Sequence, residues 1–132
     1  MIPLPEAFHD LLHGKKALAH LATLLPDGAP HVTPVWFDVR DGKIRVNVVR
    51  GRVKARNMAR DARVCLSIAN PDDPDRYIHI RGLVTRMTEE GAVAHNDALS
   101  RKYYGLDVYP HDRPGDVHVL VEIDPVAVHT PG

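Results

Sequence analysis

Two tight-turn signatures between short apolar runs constrain this chain more than any other feature. Residues 17–25 form an apolar run without glycine or proline and read as a buried strand. Pro26-Asp27-Gly28 then supplies the residues of a reversal, and residues 30–39 read as its returning partner. Asp41-Gly42 makes a second reversal into residues 43–49, where Ile44, Val46 and Val48 alternate with polar neighbours at the period of a half-buried strand. Connections this short join antiparallel neighbours, because a parallel pair needs a crossover of about a dozen residues or more. Two successive hairpins predict a meander.

The rest of the chain extends that pattern. Residues 6–13 read as a short helix with Phe8, Leu11 and Leu12 on one face and Gly14 at its end. Residues 53–62 carry the helical stripe Ala55, Met58, Ala59 and Ala62. Residues 64–69 read as a strand, 70–75 as a rigid acidic loop, and 77–87 as a long strand in which Gly82 marks a bulge or a close approach. Residues 89–104 predict a helix with Ala92, Asn96, Leu99 and Tyr103 inward, 109–116 a loop, and 117–123 a last strand before a short tail. Six or seven strands joined mostly by turns favour a mainly β, antiparallel barrel with short peripheral helices over a parallel α/β sheet. No G-x-G-x-x-G occurs, so the dinucleotide fingerprint is absent.

At 132 residues the chain is expected to form one domain, 1–132, with a real core. No run of about 18 apolar residues could span a bilayer, and the first residues lack the pattern of a signal peptide, so a cytoplasmic location is expected. The 17 basic and 17 acidic residues balance, which argues against nucleic acid or a membrane surface as partner. Cys65, the single cysteine, lies in an apolar strand-like run and reads as a small buried side chain. His9 and His13 share a helix face, yet no third ligand is suitably spaced and no metal site is expected. His20, His31 and His118 read as hydrogen-bonded strand histidines, while His95, His111 and His129 show no pattern.

Against that neutral background, charge is concentrated in one place. Residues 43–63 hold eight cations and one acid, Asp61, a net of seven positive charges that the remainder must cancel. Arg50-Gly51-Arg52-Val53-Lys54-Ala55-Arg56-Asn57 sits where strand pattern changes to helix pattern. A helix beginning after Gly51 aims unpaired amides and its positive dipole end at the side chains of Arg50, Arg52 and Lys54, the chemistry of a phosphate site. A solvated helix face is the alternative reading. Upstream, Pro34 cannot donate to a sheet ladder, so Thr33-Pro34-Val35-Trp36 marks either a blunted edge or a stretch whose amides face a flat ligand.

These segments together, with Gly42, Arg60-Asp61 and Arg63-Val64, resemble the pyridoxamine 5'-phosphate oxidase-like flavin-binding family, and within it the actinobacterial flavin- and deazaflavin-dependent oxidoreductases that use coenzyme F420. The resemblance implies a split β-barrel and a homodimer with two cofactor sites at the interface. It assigns Arg52, Lys54 and Asn57 to the cofactor's phosphate-bearing tail, Val49 and Arg50 to its ribityl chain, and Thr33, Pro34, Val35 and Trp36 to its ring. Tyr77 and His79 would reach in from the second protomer. The implied function is hydride transfer from reduced F420 to a small electron-poor enone- or quinone-like substrate. Alternatives are an FMN-dependent oxidoreductase and a non-enzymatic flavin- or haem-binding or storage protein. The C-terminal arginine that contacts the ligand phosphate in true pyridoxamine phosphate oxidases has no counterpart at residues 128–132, so vitamin metabolism is not expected.

Overall fold

In the computed structural model, which describes residues 1–131, seven strands form one antiparallel sheet in the order β2-β1-β5-β6-β7-β4-β3. The strands are β1 (Ala19–Leu24), β2 (Pro30–Val35), β3 (Asp38–Arg40), β4 (Lys43–Val49), β5 (Arg63–Asn70), β6 (Asp73–Thr88) and β7 (His118–His129). Helix α1 (Val53–Arg60) follows β4 and helix α2 (Ala92–Tyr104) follows β6. The architecture is the expected mainly β split barrel with short helices outside it. Gly132, the end of the expected tail, lies outside the described residues.

Both hairpins form, β1 with β2 and β3 with β4, but they do not continue as a meander. The segment 30–39 is two strands, and these occupy opposite edges of the sheet. Trp36 and Phe37 alone separate them, and Phe37 leaves the ladder to bury its ring completely in the core. Three Cα steps of about 3.8 Å then hold Val35 and Asp38 within roughly 11 Å. A flat sheet of seven strands would set its edges about 29 Å apart at roughly 4.8 Å per strand. The sheet therefore has to curl until its edges meet at this corner, which makes it a barrel split elsewhere.

Alternation fills the barrel. Ile44, Val46, Val48, Leu66, Ile68, Ile78, Ile80, Val121 and Ile123 point inward and are at most 2% exposed. The first helix differs from expectation: a 3-10 turn, Glu6–Phe8, precedes a π-helical turn, Asp10–Gly14, whose Lys15 N–H donates to Asp10 O at 3.0 Å. The adjacent residues Leu11 and Leu12 are both buried there, and the wider turn accommodates two neighbouring core side chains. Residues 70–75 are not a loop. β5 and β6 run on to an Asn70–Asp73 register pair, and Asn70 Oδ1 accepts from Asp72 N–H at 2.9 Å to cap the turn between them. β7 likewise continues past Ile123 to His129, through a register shift where Pro125 lies opposite Gly82.

Helix α2 covers the outer face of β7 and β4 through Ala92, His95, Asn96 and Leu99. The outer face of β2-β1-β5-β6 has no such cover. Val32 stands 57% exposed there, and Cys65, alternating with buried Val64 and Leu66, is half-buried on this face rather than in the core. Tyr77 and His79 alternate with inward Ile78 and Ile80 and so face outward as well. Among the described residues no helix is long and apolar enough to cross a membrane.

Gly82 confirms both halves of its reading: the β6–β7 register shifts beside it, and a Cβ at this position would overlap Ile123 Cγ2. Gly82→Ala is expected to lower stability by about 1–3 kcal/mol through overpacking, measured by urea unfolding, and a loss under about 0.5 kcal/mol would contradict the close approach.

Candidate functional site

The turn from β4 into α1 is set by Gly51, whose φ of 86° lies in the left-handed region, and by Arg52 N–H donating to Val49 O at 3.2 Å. No side chain caps the start of α1, and no acid lies in its first turn. Its leading amides are therefore available to an outside acceptor. Beside this helix start is a cavity of about 200 Å³, walled by Val49, Arg52 and Lys54 on one side and by Pro34 and Val35 of edge strand β2 on another. The barrel's corner thus joins the two sequence segments that the resemblance assigns to a cofactor's tail and ring.

The wall is electrostatically unfinished. Burial, followed by the charge of Arg52, holds the Lys54 ammonium below the usual lysine range. Lys54 has no salt-bridge partner among the described residues, and Arg52 meets a carboxylate, that of Asp116, at 3.5 Å. The Thr33 hydroxyl, on the same face of β2 as Val35 but behind the cavity's lining, is buried without a partner, a state that ordinarily signals a missing ligand or water. These groups fit an elongated ligand with an anionic tail and a flat, hydrogen-bonding head.

Other predicted positions lie elsewhere. Arg50 pairs with Glu89 and walls a separate cavity of about 420 Å³ on the other side of the helix start. Trp36 stands beside the site: its ring stacks on Tyr103 at 5.1 Å and meets Tyr104 and Tyr109 edge-on. Asn57 does not line the cavity. It is 2% exposed, its Nδ2 donates to Thr23 Oγ1 at 3.0 Å and its Oδ1 accepts from Arg60 at 2.8 Å, tying α1 to β1. The resemblance assigns it to the cofactor's tail with Arg52 and Lys54, but α1 turns this side chain inward. Tyr77 and His79 remain on the bare outer face of the barrel.

The far wall comes from residues to which the sequence assigns no site role: Asn47, Asn96, Tyr109, His111, Asp116 and His118. Behind it runs a continuous polar chain. Arg45 holds Asp38 in a two-pronged contact at 2.8 and 2.7 Å, Asp38 faces His95 Nε2 at 3.3 Å, and His95 Nδ1 lies 3.1 Å from Asn47 Nδ2. Asn47 Nδ2 also donates to Ala92 O at 2.8 Å, which fixes the amide's orientation and leaves its Oδ1 to accept from His118 Nδ1 at 2.8 Å. His118 Nε2 donates to Asp112 at 2.6 Å. The visible hint was Asn47 itself, a polar residue between two valines on the face that α2 covers. His9 and His13, in contrast, stack at 4.3 Å, and among the described residues no group of three metal-type ligands occurs.

A family model for pyridoxamine 5'-phosphate oxidase matches residues 4–130, and the chain belongs to that family. Its structure is similar to that of an F420 reductase, with 31% identity and a TM-score of 0.82 over 96% of this chain and 98% of that one. It is also similar to a conserved hypothetical protein of Mycobacterium tuberculosis, with 27% identity and a TM-score of 0.75 over 98% and 85% of the two chains. General stress protein 26 of Bacillus anthracis, at 22% identity and a TM-score of 0.66 over 90% and 87%, shares the fold. No curated protein matches the chain in sequence.

Burial pushes the Asp38 carboxyl up, but the hydrogen bonds from His95 and Arg45 outweigh it and bring the pKa down to about 2. A carboxylate depressed in the folded state stabilises the fold above its unfolded pKa of about 4, and that stabilisation is lost as pH falls through about 2. Asp38→Asn is therefore expected to cost roughly 2 kcal/mol at neutral pH. The gap from wild type should close between about pH 4 and pH 2 in urea titrations, and a gap independent of pH would refute the ionic role.

Proposed function

We propose that the chain is an F420-dependent reductase acting on a small electron-poor substrate, with the cofactor's phosphate on Arg52 and Lys54 and its ring along Thr33, Pro34 and Val35. The observation that carries this reading is the half-buried, unpaired Lys54 beside Arg52 at an uncapped helix start. Its cavity extends to Pro34 and Val35 of the edge strand β2. The similarity to an F420 reductase supports the choice among flavin-like ligands.

The bound cofactor supplies the hydride chemistry, and the protein supplies position and charge. Arg52 offers a planar fork and Lys54 a point charge to a phosphate. An anion there also relieves the repulsion between Arg52 and Lys54. Edge strand β2 turns alternate amides away from β1, so its backbone can hold a ring without losing sheet bonds. Tyr109 and His111 pack edge-on at 5.6 Å on the far wall and give the cavity an aromatic side that limits water.

A second copy of this chain is the partner we propose for the bare outer face. A cavity of about 350 Å³ runs across it between Ala22, Leu24, Cys65, Leu83 and Val126, and Leu83 and Val126 are each 41% exposed. In such a dimer Tyr77 and His79 of one protomer would face the other. Leu83→Arg is expected to convert a dimer to monomers in sedimentation velocity, and a monomeric wild type would overturn the pairing.

Titration with oxidised F420 and with FMN tests the cofactor. F420 should bind more tightly, and the reverse order would overturn the deazaflavin assignment. Lys54→Ala should weaken the bound cofactor by about 1.5–3 kcal/mol, the scale of a hydrogen bond to a charged group. An unchanged affinity would remove Lys54 from the phosphate site.

A further inference from the structure

The loop 109–116 brings two carboxylates onto the cavity's donors, and they are held differently. Asp116, near Arg52, also accepts from Arg113 N–H at 2.9 Å and keeps 14% of its side chain exposed. Asp112 keeps 49% exposed and has no hydrogen bond among the described residues except the one from His118. His118 is the opposite case. It is 8% exposed, lines the cavity, and is fixed from behind by Asn47, whose orientation the Ala92 carbonyl sets. A rigid N–H donor at the cavity wall thus spends itself on an exposed loop carboxylate.

We propose that His118 is an anion-binding residue of this cavity, acting beside Arg52 and Lys54, and that Asp112 occupies its Nε2–H as a ligand oxyanion would. The proposal deepens the reading of the cavity as the anionic end of a cofactor site and rests on it. With Nδ1 held by the Asn47 oxygen and Nε2 turned to a carboxylate, the ring meets an acceptor on each side. An arriving oxyanion takes over a charge-assisted bond that is already aimed. The displaced Asp112 returns to water, where a surface ion pair is worth little. Asp112 is then a competitor for the donor, not its brace.

The two roles predict opposite signs. If Asp112 competes, removing it tightens oxyanion binding; if it braces His118, removing it weakens binding. Asp112→Ala, His118→Phe, His118→Gln and the Asp112→Ala/His118→Phe double variant of the full chain are titrated by calorimetry with oxidised F420 and, separately, inorganic phosphate. Circular dichroism checks that each remains folded. Asp112→Ala should tighten binding about threefold or more, and His118→Phe should weaken it about tenfold. His118→Gln, which keeps an N–H donor, should recover part of that loss. The gain from Asp112→Ala should vanish in the His118→Phe background, which separates removal of a competitor from a general gain in positive charge. Unchanged or weaker binding by folded Asp112→Ala overturns the proposal, as does a gain that persists without His118. If phosphate shows these effects while F420 does not bind, the His118 assignment stands and the cofactor reading fails. Failure of both ligands to bind wild type overturns both.

Discussion

Burial of Phe37 is the constraint on which the site depends. Its ring is fully enclosed, its carbonyl accepts from Lys102 at 3.2 Å, and the same ammonium lies 4.8 Å from the ring. Tyr103, which donates to Ala17 O at 2.5 Å, closes the corner from α2; burial drives its hydroxyl pKa up to about 12 despite a bond to the Phe37 backbone. The two edges of the sheet meet here and nowhere else in the strand order. Because they do, the end of β2 stands across a small cavity from the end of β4 and the start of α1. Segments nearly twenty residues apart in sequence become opposite walls, without a dedicated domain or a long loop.

The charges on those walls follow a simple division. Cations that carry structure have partners: Arg45 is locked to Asp38, Lys43 meets Asp124 at 2.9 Å, and Arg60 is bonded to Asn57 and Leu24 O. Arg52 and Lys54 are left weakly matched at the helix start, facing the cavity. Behind the far wall, one amide sets two histidines. Asn47 presents a hydrogen to His95 and an oxygen to His118, so the two rings meet it in opposite roles. The chain from Arg45 to His118 therefore transmits orientation from the outer, α2-covered face of the barrel to the cavity.

Much of this was legible from local pattern. Alternation and turn residues carried the strands, and the crowding of Arg52 and Lys54 after Gly51 pointed to what is one wall of the cavity. What stayed hidden required pairing between distant segments. Pro34 marks residues 33–36 as an edge, but nothing local says that the chain leaves the strand at Trp36 to join the opposite edge; that break follows from how completely Phe37 can be buried. Residues 70–75 read as loop because they are polar, whereas only 71–72 form the turn and the Asn70–Asp73 pair carries the ladder to its edge. Asn57 shares the helix with the cations, yet its side chain is consumed by Thr23. His118 is inconspicuous until β7 is laid against β4, where it pairs with Val49. Local physics thus located the charge, and the far wall needed topology.

The corner has a further consequence for survival at high concentration. A sheet with an unpaired edge leaves backbone free to recruit another strand, the usual starting point of aggregation. Here the open edge, β2, carries proline at both position 30 and position 34, and the opposite edge, β3, is three residues long with charged Asp38 and Arg40 at its ends. Neither offers a continuous ladder to an incoming chain. Pro34, paired with His20 inside β2 and lining the cavity, has no N–H to offer, and so it also denies that edge to a stray strand.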